Sequence, residues 1–433
     1  MTEPEPDHVL RGARLARVGV AAALVSRVFG RLVGIVLVVV LARVSDPTTV
    51  ALYGFLLGTV TLTASVTDLG VASLAGRDVA AGTAAAPAAL RSALGPQALS
   101  AGLAVVLTCL LALLAGPAGV DAAVLVPCSA FVVANATFNL WAEVLRGAGR
   151  AVLEGLLQGA SALLLVVAGS LAVLGGAGIV PLLWIVAGKE LVVLLVAAVF
   201  LRPGGGSPDG PSFGALVRRS AWLAVAGTAL IVLWRQGTVL VSALAPTRVL
   251  ADYVVATRFL DAAVTLAHTL GIGLFPAIAA LAHRDRRSAR RQAQRYLGVV
   301  AAASVALAVL GVLLAGPVTT LLFGERWGSA VLTVRVLAAA APFTVTGYLL
   351  WFALLAEEQE RWLCLAAAAA AVTALSATAA LLVAAPSAAA GAAGTGAGAV
   401  VLVVLLGVRY VLTRPRGPVL RRSAVPEDAG RGA

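Results

Sequence analysis

Six cations interrupt the apolar runs of this chain: Arg27, Arg31, Lys189, Arg235, Arg258 and Arg335. A charge in hydrocarbon is costly, so it faces a polar path, pairs, or reaches the headgroups. Guanidinium groups bind phosphate in a bidentate fashion, which makes buried arginines candidates for an anionic ligand. Arg27 and Arg31 are four residues apart and share a helix face. Two like charges so placed repel unless an anion lies near, and a diphosphate would satisfy both. The competing reading is that they snorkel to lipid headgroups. Arg235, in Trp234-Arg235-Gln236-Gly237, lies mid-run; it either faces a central path or pairs with an acid on another helix. Arg258 and Asp261 are three apart and can pair, while Asp261 and His268 share a face, a set that a proton-coupled switch could use. A structural ion pair beside a hydrogen-bonded histidine is the alternative. Lys189-Glu190 reads as a neutralised pair or a coupling pair, and Asp68, with Arg77 and Asp78, as helix-end pairing. The candidate diphosphate-binding residues are therefore Arg27, Arg31, Arg235 and Arg258. The candidate coupling or ion-pairing residues are Asp261, His268, Lys189, Glu190 and Asp68.

Enzyme chemistry has little to stand on. The sequence holds no P-loop, no metal-spaced His/Cys cluster, no paired carboxylates in a polar loop and no GxSxG elbow, so no catalytic residue, metal or cofactor is expected. Cys109, Cys128 and Cys364 all fall in apolar runs and imply no disulfide framework. Glu357-Glu358-Gln359-Glu360 reads as a solvated acidic run, and Glu143, Arg146 and Glu154 as loop-edge charges.

The elements that must position these residues are membrane helices. Hydrophobic residues make up 61% of the 433 and mean hydropathy is +1.00, well beyond the ~45–50% of a soluble domain. A membrane-spanning helix needs roughly 20 apolar residues. About twelve such runs occur, at 18–42, 50–67, 97–115, 122–145, 151–175, 178–201, 220–245, 251–281, 297–322, 330–355, 361–385 and 392–413. Runs this long exclude an outer-membrane barrel, and the first is too long for a cleavable signal peptide. The expectation is an all-α polytopic membrane protein.

Charge orients it. Of the 32 Lys and Arg, three fall in loops on one side (Arg43, Arg248, Arg326), six lie within runs, and the rest are on the other side. By the positive-inside rule the crowded side is cytoplasmic, both termini included. The net charge of +12 then orients the chain and meets anionic lipid; nucleic acid is not an expected partner. A Gly/Pro/Ser stretch after the sixth run divides the chain into a cytoplasmic segment 1–17, an N-lobe 18–201 with helices 1–6, a linker 202–219, a C-lobe 220–413 with helices 7–12, and a basic tail 414–433. The halves are weakly alike: Tyr53 to Gly70 in the second run and Tyr253 to Gly271 in the eighth have nearly equal intervals, each after a run with buried arginine. Six spans per half make this a parallel repeat, a common transporter plan. Residues 283–295 read as a basic cytoplasmic loop, and the Ala-rich run 364–384 as a close-packing helix.

The stretches Ser26-Arg27-Val28-Phe29-Gly30, Leu52-Tyr53-Gly54, Thr67-Asp68-Leu69-Gly70 and Arg77-Asp78 resemble the start of polysaccharide (O-antigen-type) flippases. These belong to the multidrug/oligosaccharidyl-lipid/polysaccharide exporter superfamily. Trp234-Arg235, Ala251-Asp252-Tyr253, Leu274-Phe275-Pro276-Ala277-Ile278 and Leu322-Phe323-Gly324-Glu325-Arg326-Trp327 fit the same pattern, so the resemblance covers roughly residues 15–355. It implies two six-helix lobes around a central cavity that opens alternately to each side. It also implies a polyprenyl-diphosphate-linked oligosaccharide as substrate, with cavity arginines meeting the diphosphate and the prenyl tail left in lipid between the lobes.

The chain departs from the lipid II flippases of that superfamily, which have two further helices and an Arg-Asp pair where Val33-Gly34 stands here. It departs from multidrug exporters, which carry acidic N-lobe residues; here the N-lobe core is basic apart from Glu190. The leading expectation is a flippase of the bacterial plasma membrane serving surface polysaccharide or lipopolysaccharide biosynthesis. Membrane lipids, and glycan polymerases or glycosyltransferases, are its expected partners. A small-molecule or multidrug exporter of the same fold and a lipid II flippase remain as alternatives. A membrane glycan polymerase or ligase would need a large outer loop, which the runs do not leave. A non-transporting assembly scaffold would not depend on the buried arginines for transport.

Overall fold

The computed structural model describes residues 34–67, 70–202, 213–284, 286–357 and 359–412. Arg27, Arg31 and Asp68 lie outside the described residues, as does the side chain of His268. The described chain is nearly all helix: α1 (Gly34–Val44), α2 (Pro47–Thr67), α3 (Val71–Ala80), α4 (Ala86–Ala115), α5 (Ala122–Gly147), α6 (Ala151–Leu174) and α7 (Ile179–Phe200) in the first half, then α8 (Phe213–Leu244), α9 (Thr247–Arg284), α10 (Arg286–Phe323), a 3₁₀ turn (Glu325–Ala330), α11 (Val331–Ala356), α12 (Glu360–Ala384) and α13 (Ala388–Leu412). Ten of the described helices are long and apolar enough to cross a membrane, and each of the twelve expected runs overlaps a described helix. The protein is a polytopic membrane protein.

Three differences have plain causes. The short helix α3 was not expected, because ten residues cannot span hydrocarbon and leave no run to see. It lies against α5, where a side chain on Gly76 would strike the Glu143 carbonyl at 2.6 Å and one on Gly147 would strike the Gly76 carbonyl at 2.1 Å. The expected basic loop 283–295 is instead largely the first turns of α10, and α9 and α10, 38 residues each, are ~57 Å long at 1.5 Å per residue. They outreach a ~30 Å hydrocarbon layer, so polar residues continue the helix into the aqueous side. Likewise α8 starts at Phe213, taking in the end of the expected linker.

Small residues let the helices meet. Along α13, Gly394 and Gly398 back onto α12, where an added side chain would lie 2.5 Å from the Thr378 amide nitrogen and 2.7 Å from the Ala370 carbonyl. The facing stretch of α12 is alanine, with Ala366, Ala367, Ala370 and Ala374 buried, so without a hydrophobic force between helices in lipid, close van der Waals contact is available instead.

The two halves touch through α2, α8 and α9. Thr228 on α8 donates to the Ser65 carbonyl (3.1 Å), and Ser242 donates to the Ala115 carbonyl (2.6 Å). At the tightest point, a Cβ on Gly54 would fall 2.2 Å from Val254 Cγ1, and one on Gly58 would fall 3.0 Å from Thr238 Cγ2. The crossing therefore needs glycine on α2. Gly54→Ala is expected to destabilise the purified protein by about 1–3 kcal/mol, the usual cost of overpacking, read as a lower thermal midpoint in detergent. Adding Val254→Ala should restore most of the loss; failure to do so would show that this contact does not set the crossing.

Candidate functional site

Trp234 and Gln236 of α8 anchor it to three different helices and so aim the residue between them, Arg235, inward. Trp234 stacks on Tyr348 of α11 (ring centroids 6.1 Å, 18° between planes). Gln236 donates to Thr378 Oγ1 on α12 (3.1 Å) and Thr395 Oγ1 on α13 (3.3 Å). Consecutive helical residues point about 100° apart, which leaves Arg235 facing α9. There its guanidinium meets Asp261 Oδ1 at 3.0 Å. Arg258, one turn earlier on α9, meets Asp261 Oδ2 at 3.3 Å and also donates to the Val254 carbonyl (3.2 Å). Two cations share one carboxylate, leaving the group net positive.

All three side chains line a cavity of about 880 Å³, inside the size range of ligand sites. Tyr53 and Leu57 of α2 and Gly34, Ile35 and Val38 of α1 form one side. α9, α10 and α11 form the other, with Thr265 and Ser304 adding polar atoms to a mostly apolar wall. The structure thus brings together Arg235, Arg258 and Asp261 from the predicted set. Arg235 both lines the cavity and pairs across helices.

Lys189 and Glu190 sit elsewhere. They pair with each other inside the N-lobe, with Lys189 also donating to Ser161 (3.1 Å) and standing 5.6 Å from the Phe131 ring centroid. Neither lines the cavity. Glu143, Arg146 and Glu154 are not the loop-edge charges expected. Arg146 bridges Glu143 (2.8 Å) and Glu154 (3.1 Å), and Glu154, which also accepts from Gln158, is fully buried. A cation between two carboxylates ties α5 to α6. Arg335 is exposed and outside the cavity lining.

Sequence reasoning missed a second cluster, at the face bearing Arg43, Arg248 and Arg326. The C-terminal carbonyls of a helix lack intrahelical donors. Here arginines supply them reciprocally across the halves. Arg43, in the last turn of α1, donates to the Leu321 and Leu322 carbonyls at the end of α10 (2.7 Å to Leu322). Arg326 donates back to the Ala42 and Ser45 carbonyls (2.7 Å to Ser45), and Trp327 Nε1 joins at Ala42 (3.0 Å). Arg248 stacks over the Trp327 ring (4.8 Å) while donating to the Arg326 carbonyl and pairing with Asp252 at 3.4 Å. Gly324, at φ 98°, makes the turn that swings Arg326 and Trp327 towards α1. We call this cluster the latch. Its signal in the sequence was available: the loop arginines of the sparsely charged side, one of them beside Trp327 and Gly324.

Beside the latch, Asp46 caps α2 through Thr49 (3.1 Å to its amide, 2.6 Å to its hydroxyl), with Pro47 next in the chain. The Thr49 hydroxyl bond is the main reason its carboxyl lies below the usual carboxylate range. A lowered folded-state pKa stabilises above the unfolded value and is lost as pH falls through the folded one. Asp46→Ala should therefore cost about 1 kcal/mol at neutral pH, as N-cap losses do, and progressively less on acidification below the ordinary carboxylate range. A constant difference across that range would refute the charge-dependent part.

The latch makes a second prediction. Each hydrogen bond to a charged group contributes about 1.5–3 kcal/mol, so Arg326→Ala should shift the open-closed balance of this face at least about tenfold. In a cysteine-free background, Val38→Cys should react correspondingly faster with an impermeant thiol reagent added from the latch side. Unchanged reactivity would show that other contacts seal this face.

Residues 17–282 match the family described as polysaccharide biosynthesis protein. Among solved structures, the fold is similar to the lipid II flippase MurJ in an inward closed conformation, with TM-score 0.69 and 12% identity over 89% of this chain and 86% of that one. It is similar to an inward-facing multidrug resistance MATE family transporter of the MOP superfamily, with TM-score 0.66 and 13% identity over 89% and 94%. It is also similar to a variant of the Vibrio cholerae MATE transporter VcmN, with TM-score 0.65 and 15% identity over 92% and 97%. Among curated protein sequences none matches significantly.

Proposed function

The chain belongs to the polysaccharide biosynthesis protein family, and from that membership we propose that it moves a polyprenyl-diphosphate-linked oligosaccharide across the bacterial plasma membrane. It does so as a carrier rather than an enzyme, by alternating access. The crowded basic side, with both termini, faces the cytoplasm, and the latch faces outward. The observation that carries this reading is the pair of guanidiniums, Arg235 and Arg258, held by Asp261 on the wall of an 880 Å³ cavity.

In the empty carrier, Asp261 is the anion both arginines share. A diphosphate, with more negative charge and geometry suited to two guanidinium forks, replaces it as their partner. Arg27 and Arg31, which precede α1 in the sequence, would supply further cations. Because a ligand shifts a conformational equilibrium only by binding one state better, the diphosphate must bind more tightly once the lobes close around it. That closure sets the latch contacts against the site: opening outward requires the Arg43 and Arg326 bonds to be given up to water. Glycosyltransferases upstream and a glycan polymerase downstream would share the pathway.

The test is rescue of a deletion strain, scoring surface glycan and inner-face lipid-linked precursor. Wild type should restore glycan, whereas Arg235→Ala, Arg258→Ala and Arg31→Ala, at matched membrane levels, should leave precursor accumulated. Loss of one charge-assisted contact, at about 1.5–3 kcal/mol, corresponds to roughly a tenfold or greater fall in transport rate. Full rescue by Arg235→Ala would overturn the diphosphate site. Normal glycan in the deletion strain together with altered drug resistance would favour a small-molecule exporter.

A further inference from the structure

Resting on that reading, we propose that the cavity wall formed by α10 is the track along which the polyisoprenyl tail of the substrate lies, so that the tail is held by the protein. α10 lines the cavity from Val299 to Val318, a twenty-residue stretch that rises ~28 Å at 1.5 Å per residue. That is close to the whole ~30 Å hydrocarbon thickness. Val299, Leu307, Leu310 and Leu314 line the cavity and are nevertheless 42–69% exposed, so along α10 the cavity is open at the protein's lipid-facing surface. Between these side chains, Ser304, Ala308 and Ala315 are buried, and Gly311 lies so close to α11 that a Cβ there would be 3.3 Å from Ala338 Cβ. The small residues press α10 onto α11 and leave a shallow, apolar, continuous trough.

The occupant follows from continuity. The same cavity holds Arg235, Arg258 and Asp261 at one part and this membrane-tall hydrocarbon wall at another. A water-soluble anion would use only the first. A lipid with an anionic head and a long, unbranched-path hydrocarbon tail uses both, and the tail can stay in hydrocarbon while the head changes sides. Since a tail gains little by leaving lipid for an equally apolar helix, the trough aligns the molecule more than it adds affinity, and the test must read position.

The full chain is placed in nanodiscs of phosphatidylethanolamine and phosphatidylglycerol with a photoactivatable phenylalanine at Leu307 or, in a second variant, Leu314. Matched controls carry it at Leu171 on α6 or Val372 on α12, both lipid-exposed. The probe is radiolabelled undecaprenyl diphosphate, and retention is measured in parallel with and without Arg235→Ala. The expected result is several-fold more labelling at the α10 positions than at the controls, reduced by unlabelled probe and by Arg235→Ala. Arg235-dependent retention with equal labelling at all positions would overturn the track and leave the flippase reading standing. α10 labelling displaced equally well by added phosphatidylglycerol would also overturn it, identifying bulk lipid as the occupant. Absence of any Arg235-dependent retention would overturn the diphosphate reading, and the track with it.

Discussion

Keeping two guanidiniums charged inside a bundle of hydrocarbon is the constraint around which the rest is arranged. Arg235 and Arg258 reach one carboxylate, Asp261, from two helices. A charge held in hydrocarbon calls for water, an anion or both. Among the described residues the structure supplies one acid, Asp261, at the wall of a cavity large enough to admit water or an anion. One acid between two bases leaves residual positive charge for a further anion or water to meet. An apolar plug at this position would make the same arginines intolerable. The cavity and the cations therefore belong together, and α8, fixed on either side by Trp234 and Gln236, holds that geometry.

The contacts between halves differ in kind from those within them. Within the C-lobe, alanine and glycine give dry backbone approach, as between Gly394 or Gly398 and α12. Between halves, one contact is steric, Gly54 against Val254, and another is polar, the reciprocal arginine-to-carbonyl bonds of the latch. Polar bonds at a membrane surface can be exchanged for bonds to water, whereas a packed core contact has no such substitute. A carrier that must separate its lobes on one side and then the other is served by this division. The Gly54 crossing can act as the fulcrum, and the latch can be replaced by hydration.

The order and type of the membrane helices were legible because an uninterrupted apolar run of about twenty residues fits a membrane-spanning helix and little else. The inward aim of Arg235 was legible only as a choice between facing the cavity and pairing; the side chain does both, since the cavity wall and the neighbouring helix are the same surface. The Arg258–Asp261 pair followed from three-residue spacing. α3 was invisible because a short helix on a soluble edge carries no hydrophobic run. The burial of Glu154 was invisible because only three-dimensional packing puts Arg146 between two acids. The latch was misread as a tally of loop charges. Positive-inside counting treats each outer arginine as an exception to be minimised, when three exceptions clustered beside a tryptophan mark a contact that the fold needs.

α9 connects these parts. Its first turn carries Arg248 and Asp252, which hold Trp327 in the latch, and Arg258 and Asp261 follow on the same continuous helix. From Arg248 to Asp261 is thirteen residues, ~20 Å of rigid rise. A helix of this kind cannot change its tilt at one end alone unless it bends, and no proline interrupts it between these residues. Rearrangement of the Asp261 partners when an anion arrives therefore moves the Arg248 end as well, unless the helix breaks. Conversely, parting of the latch moves the wall that carries Arg258. Under the proposed alternating access, one rigid element biased at both ends would couple site occupancy to closure of the latch face, which is the physical requirement for a carrier rather than a channel.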